Sequence, residues 1–136
     1  MRQPEMVTML TRSRANPRAH RPVRSPVQSK DPLSKKLFAT REKSIELVST
    51  LSAEDMVVQA MEDASPSKWH LAHVTWFFET FVLARFLPGY RLFDERLPFC
   101  FNSYYESQGA RQPRAHRGLL TRPSIDEVFA YRAHVD

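Results

Sequence analysis

Cysteine is almost missing from this sequence: Cys100 is alone among 136 residues. A lone thiol excludes an internal disulfide and a thiolate cluster, and it is compatible with a reducing cytoplasm, where we place the chain. Long apolar runs are also missing. The longest uncharged stretch around the aromatic centre, Trp69 to Phe78, is 10 residues, half of the ~20 needed to cross a bilayer. The N-terminus has basic residues but no apolar h-region, which argues against a secretory signal. Acidic residues are scarce only at that end. Residues 1–30 carry Glu5 against seven Lys and Arg, a balance of +6, whereas the rest of the chain sums to −1. The net charge of +5 is thus confined to a tail, and a near-neutral remainder lacks the broad positive footprint of a nucleic-acid binder. We expect neither a nucleic-acid nor a membrane partner.

Residues 1–30 hold four prolines and six arginines with few large apolar side chains, so they read as a disordered tail that cannot bury enough surface to offset ordering entropy. Residues 31–136 read as one helical domain. Asp31-Pro32 starts a helix over about 32 to 50, with Leu33, Leu37, Ile45 and Val48 at helical spacing. Ser52, Glu54 and Asp55 open a short turn carrying Met56, Val57 and Val58. The dominant element is SPSKWHLAHVTWFFETFVLARF. Ser65 suits a cap, Pro66 the first turn, and Pro88-Gly89 the stop, which predicts one helix from Ser65 to Phe86. Apolar on nearly every side, it reads as a helix surrounded by protein, its aromatic residues as core packing.

That helix carries His70 and His73. Imidazoles buried this way need partners for their ring nitrogens. Residues three apart lie about 60° apart around the helix and face one seam. Either ordinary hydrogen-bond partners or a metal would satisfy them, and a metal would need further ligands from other helices.

From Pro88 to Pro123 no clear periodicity is present, and a loop of this length in a compact domain is usually functional. Phe99, Phe101, Tyr104 and Tyr105 are suited to pinning it onto the helices. Arg111, Arg114, Arg117 and Arg122 follow; at least two should be ordinary solvated side chains, while the others suit a small carboxylate or phosphate. Ser124 to Glu127 forms a capping box that opens a last helix with Val128, Phe129, Tyr131 and Val135. The reading is all-α, with about three helices of an incomplete bundle, because the final helix has no stop signal before Asp136.

The blocks WHLAHVTWFFETFVL, FNSYYESQGARQPR, RGLLTRPS and EVFAYRAHVD together resemble the N-terminal part of the ergothioneine-biosynthesis sulfoxide synthases, whose first domain is a DinB-like four-helix bundle. The resemblance covers about residues 33–136. It implies a mononuclear Fe(II) held by three histidines, with Leu71-Ala72-His73 matching the motif that supplies the first and the other two expected beyond Asp136. His70 would then be a packing or supporting residue, and His116 and His134 belong to other motifs. Arg114 and Arg117 match the family's R-x-x-R pair, which reads the carboxylate of cysteine or γ-glutamylcysteine. The reaction implied for the complete enzyme is O2-dependent carbon–sulfur bond formation between that thiol donor and hercynine. Residues 1–136 by themselves are expected to be inactive, and the catalytic residues are not identified. The alternatives are a DinB-like binding or dimerisation module, or a thiol transferase.

Overall fold

A computed structural model describes residues 31–136; the tail assigned to residues 1–30 lies outside them. Helix α1 spans Pro32–Glu46. Asp31 caps it, its carboxylate accepting from the Ser34 amide at 2.8 Å, and Pro32 takes a position where a missing N–H costs nothing. The helix ends four residues sooner than its apolar spacing suggests. The Leu47 amide still donates to the Lys43 carbonyl four residues back, but from Val48 the amides turn to carbonyls three residues earlier, as Val48 does to Ile45 and Ser49 to Glu46. The next predicted turn is a single 3₁₀ turn, Asp55–Val57, which buries Met56 and leaves Val57 and Val58 exposed.

The central helix is α2, Ser67–Phe78. It runs without interruption through a π-helical turn, Glu79–Leu83, into α3, Ala84–Phe86, and Gly89 leaves with a positive φ of 75° that favours glycine. Two expectations need correction. The helix starts at Ser67 rather than Ser65, and no side chain caps it, because the Ser65 hydroxyl is engaged by Arg117. Nor is it enclosed on all sides. Val74, Val82 and Phe86 are exposed, whereas Lys68, Thr75 and Glu79 are buried. Polarity is inverted because the neighbouring elements offer matched polar groups: the Leu120 carbonyl accepts from Lys68 Nζ at 2.8 Å, and Glu79 gathers three donors. Each of these buried groups is satisfied, so its burial is tolerable.

The loop after Gly89 is more ordered than its sequence suggests. It contains α4, Leu97–Phe101, and 3₁₀ turns at Glu106–Gln108 and Arg114–Leu119. Phe101 is buried and Tyr105 packs against Trp76 and Phe81, as the pinning role requires. Phe99 and Tyr104 are exposed and do not pin the loop. Helix α5, Ile125–Val135, then lies along α2. Its capping box forms as expected: the Ser124 hydroxyl accepts from the Glu127 amide while the Glu127 carboxylate accepts from the Ser124 amide. Ser124→Ala should lower stability by about 1 kcal/mol, measurable as a small shift in the urea midpoint at unchanged slope.

The core is formed where α2, α4 and α5 meet: Trp69, Leu71, Ala72, Trp76, Leu97, Phe101, Val128 and Tyr131 are all buried. A fully buried tryptophan such as Trp76 removes on the order of 200 Å² from water, a gross gain of about 5 kcal/mol. Helix α1 docks differently. Its one buried residue is Arg41, which donates to Thr75 Oγ1 at 3.1 Å and pairs with Asp136. Arg132 of α5 completes this polar seam, donating to the Arg41 carbonyl at 3.2 Å and Ser44 Oγ at 2.9 Å.

Candidate functional site

His73 occupies the face of α2 turned toward the loop. Its Nδ1 lies 2.7 Å from the Phe101 carbonyl oxygen. A carbonyl only accepts, so the proton of the neutral ring sits on Nδ1 and the lone pair on Nε2. The ring is stacked between two indoles, 4.6 Å from Trp69 and 5.7 Å from Trp76, at 14° and 23° to them. Hydrogen bond and stacking together fix both tautomer and orientation. This is how metal-binding histidines are commonly held, and it serves a proton acceptor equally well.

A cavity of about 350 Å³ opens beside the ring, between α2 and the Arg114–Leu119 turn. His70, His73, Arg114 and Arg117 all line it. The four residues singled out from sequence, up to 47 positions apart, thus share one site. His70 is exposed, contrary to the expectation that both imidazoles are buried, because its position on the helix faces the cavity mouth. Of the other two loop arginines, Arg111 and Arg122 are exposed and reach Glu106 and Glu127. His116 is exposed, and His134 packs beside Tyr90 and Phe93.

The two cavity arginines are held unequally. Arg117 is buried, donates to Ser65 Oγ at 2.9 Å and Ser103 Oγ at 3.2 Å, and lies 3.5 Å from the centre of the Trp69 ring. Its Nε has no partner. Burial, and then the charges of Arg114 and Arg111, bring its pKa down to about 10, so it stays protonated at neutral pH. Arg114 is half-buried, donates to the Asp63 carbonyl at 3.3 Å, and lies over Tyr104. Among the described residues no carboxylate pairs with either. Two guanidinium groups without counter-charge beside a neutral imidazole make a receptor for a small anion. Of the two serines that hold Arg117, Ser65 is marked in the sequence only as a helix cap and Ser103 carries no signal for this role.

Although its outer edge is exposed, the His70 ring is partly desolvated by the cavity wall, and this, followed by the positive charges of Arg117 and Arg114, lowers its pKa below the usual 6.5. For His73 burial is also the main cause, partly opposed by the Phe101 carbonyl and reinforced by Arg117. The folded state therefore binds these protons less readily than the unfolded chain, so stability holds above pH 6.5 and falls as pH drops through the folded values. Melting temperature measured from pH 7 to pH 5 should decline, and the double variant His70→Asn, His73→Asn should flatten that decline. The carboxylates with displaced values, Asp94 at about 2 among them, titrate at lower pH and leave this window to the histidines.

Among the described residues no group of three His, Cys, Asp or Glu side chains could hold a metal ion. His73 fits a single ligand position and no more. No helix among the described residues is long and apolar enough to cross a membrane. A family model described as the DinB superfamily matches residues 36–136. No curated protein shows significant similarity to the chain.

Proposed function

From the chain's membership of the DinB superfamily, whose all-α fold its helices follow, we propose that it supplies one histidine and an arginine pair to an iron-dependent, oxygen-using sulfoxide synthase of ergothioneine biosynthesis. The observation that carries this reading is the meeting of His73, Arg114 and Arg117 at one cavity, the three positions that the resemblance marks as ligand and substrate contacts. Ferrous iron, when bound, would supply the oxygen chemistry that joins a cysteine-type thiol to hercynine.

The residues themselves have separate tasks. His73 offers Nε2 because Phe101 occupies Nδ1. Arg114, tied by a single long hydrogen bond to Asp63, retains donors for the carboxylate of cysteine or γ-glutamylcysteine. Arg117 adds charge at short range; its Nη1 and Nη2 each donate to a serine hydroxyl, and its buried Nε has no partner. The proposed iron needs two ligands besides His73, and among the described residues no group of three His, Cys, Asp or Glu side chains could hold it, so residues 31–136 by themselves should give no turnover. The test is anaerobic ferrous-iron titration of the full-length protein. Binding that is lost in His73→Ala is expected; absent binding, or binding indifferent to that change, returns the chain to a binding module or another DinB-type activity.

A further inference from the structure

Arg114 and Gly118 stand four residues apart in the 3₁₀ turn Arg114–Leu119. In an α-helix the Gly118 amide would donate straight to the Arg114 carbonyl. Here a side chain from elsewhere in the chain stands between them. Gln59 Nε2 donates to the Arg114 carbonyl at 2.8 Å, and the Gly118 amide donates to Gln59 Oε1 at 2.6 Å. The second Nε2 hydrogen goes to the Ala64 carbonyl at 2.9 Å. One carboxamide thus spends both donor hydrogens and its acceptor on backbone, and occupies the place of the bond that would make the turn α-helical.

The helical form matters because the arginines are three residues apart. A 3₁₀ turn has three residues per turn, so positions 114 and 117 eclipse; an α-helix separates them by about 60°. The direct bonds on either side, His116 to Pro113 and Leu120 to Arg117, follow the three-residue pattern. Gly118 is required for room: a Cβ there would lie 2.8 Å from Gln59 Cβ and 2.9 Å from Oε1. Ala64, the third partner, belongs to the segment whose Asp63 carbonyl and Ser65 hydroxyl receive the two guanidinium groups.

We propose that Gln59 is a positioning residue of the cavity, holding the Arg114–Leu119 turn in 3₁₀ form so that both arginines address one bound anion. The part concerning an anion rests on the functional reading above; the part concerning the turn stands apart from it. The experiment compares wild type with Gln59→Met, which keeps bulk and loses all three bonds, Gly118→Ala, which displaces the carboxamide, and Arg114→Met. Backbone chemical shifts of residues 114–119 are recorded first, then γ-glutamylcysteine is titrated in. In Gln59→Met the turn's shifts should leave their wild-type values and affinity should fall about tenfold, what one or two lost hydrogen bonds can do, with folded protein retained. Gly118→Ala gives the same reading should Gln59→Met fail to fold. Unchanged shifts in both variants overturn the proposal, as does unchanged affinity in both when Arg114→Met abolishes binding. If wild type does not bind, or Arg114→Met binds equally well, the anion reading falls and the shifts alone decide the role of Gln59.

Discussion

Glu79→Ala should destabilise this protein more than any other single change outside the aromatic core, by about 3–5 kcal/mol. Glu79 is fully buried at the first position of the π-helical turn. One carboxylate oxygen accepts from Tyr90 Oη at 3.0 Å and the Phe93 amide at 2.8 Å; the other accepts from Tyr131 Oη at 2.5 Å. Burial, and then Glu79 itself, raise the pKa of both phenols, so they remain protonated donors. Alanine would strand the buried Tyr131 hydroxyl away from water, remove the acceptor of the Phe93 amide and leave a void beside them. Since a domain of this size has only about 5–15 kcal/mol of net stability, thermal unfolding should begin more than about 10 °C lower. Glu79→Gln preserves volume and two acceptor positions on one oxygen, and should recover at least half of the loss. Equal melting temperatures for wild type and Glu79→Ala would show that the three bonds contribute nothing net.

His73→Ala should have the largest functional effect. Removing a group that merely orients a ligand typically costs 10–100-fold in metal affinity, and His73 under the proposed reading is itself a ligand. Iron affinity should therefore fall by more than ~100-fold, while His70→Ala, exposed at the cavity mouth, leaves it within a few-fold. Anaerobic titration followed by the ferrous charge-transfer spectrum separates the two. Equal losses in both variants would point to a general disturbance of α2 rather than to a ligand at position 73.

Much of the scaffold is legible in the sequence because it is written in local chemistry. Asp31-Pro32, Pro88-Gly89 and the Ser124 to Glu127 box act through neighbours within a few residues, and all three mark real helix boundaries. The failures have a common origin in partners distant along the chain. Ser65 looks like a helix cap until Arg117, 52 residues later, takes its hydroxyl. Glu79 looks like an interruption in an apolar helix until Tyr131 reaches it from α5. Val74 and Val82 look buried because apolarity alone does not say which side has neighbours. At the site, the helix histidines and the loop arginines stand out by type, and the resemblance marks His73, Arg114 and Arg117 among them, whereas Gln59 is invisible: a single glutamine in a loop acquires meaning only when a backbone 55 residues away is folded against it.

The two tryptophans of this chain are the two rings that enclose His73. All of its indole fluorescence consequently originates within one side chain of the cavity. Trp69 is further covered by a guanidinium on its other face, and the two indoles differ in polarity of contact, since Trp69 Nε1 donates to the Cys100 carbonyl while Trp76 Nε1 has no partner. Emission intensity is therefore a built-in optical gauge of the imidazole, responding to its protonation or to an ion at Nε2 without any attached dye.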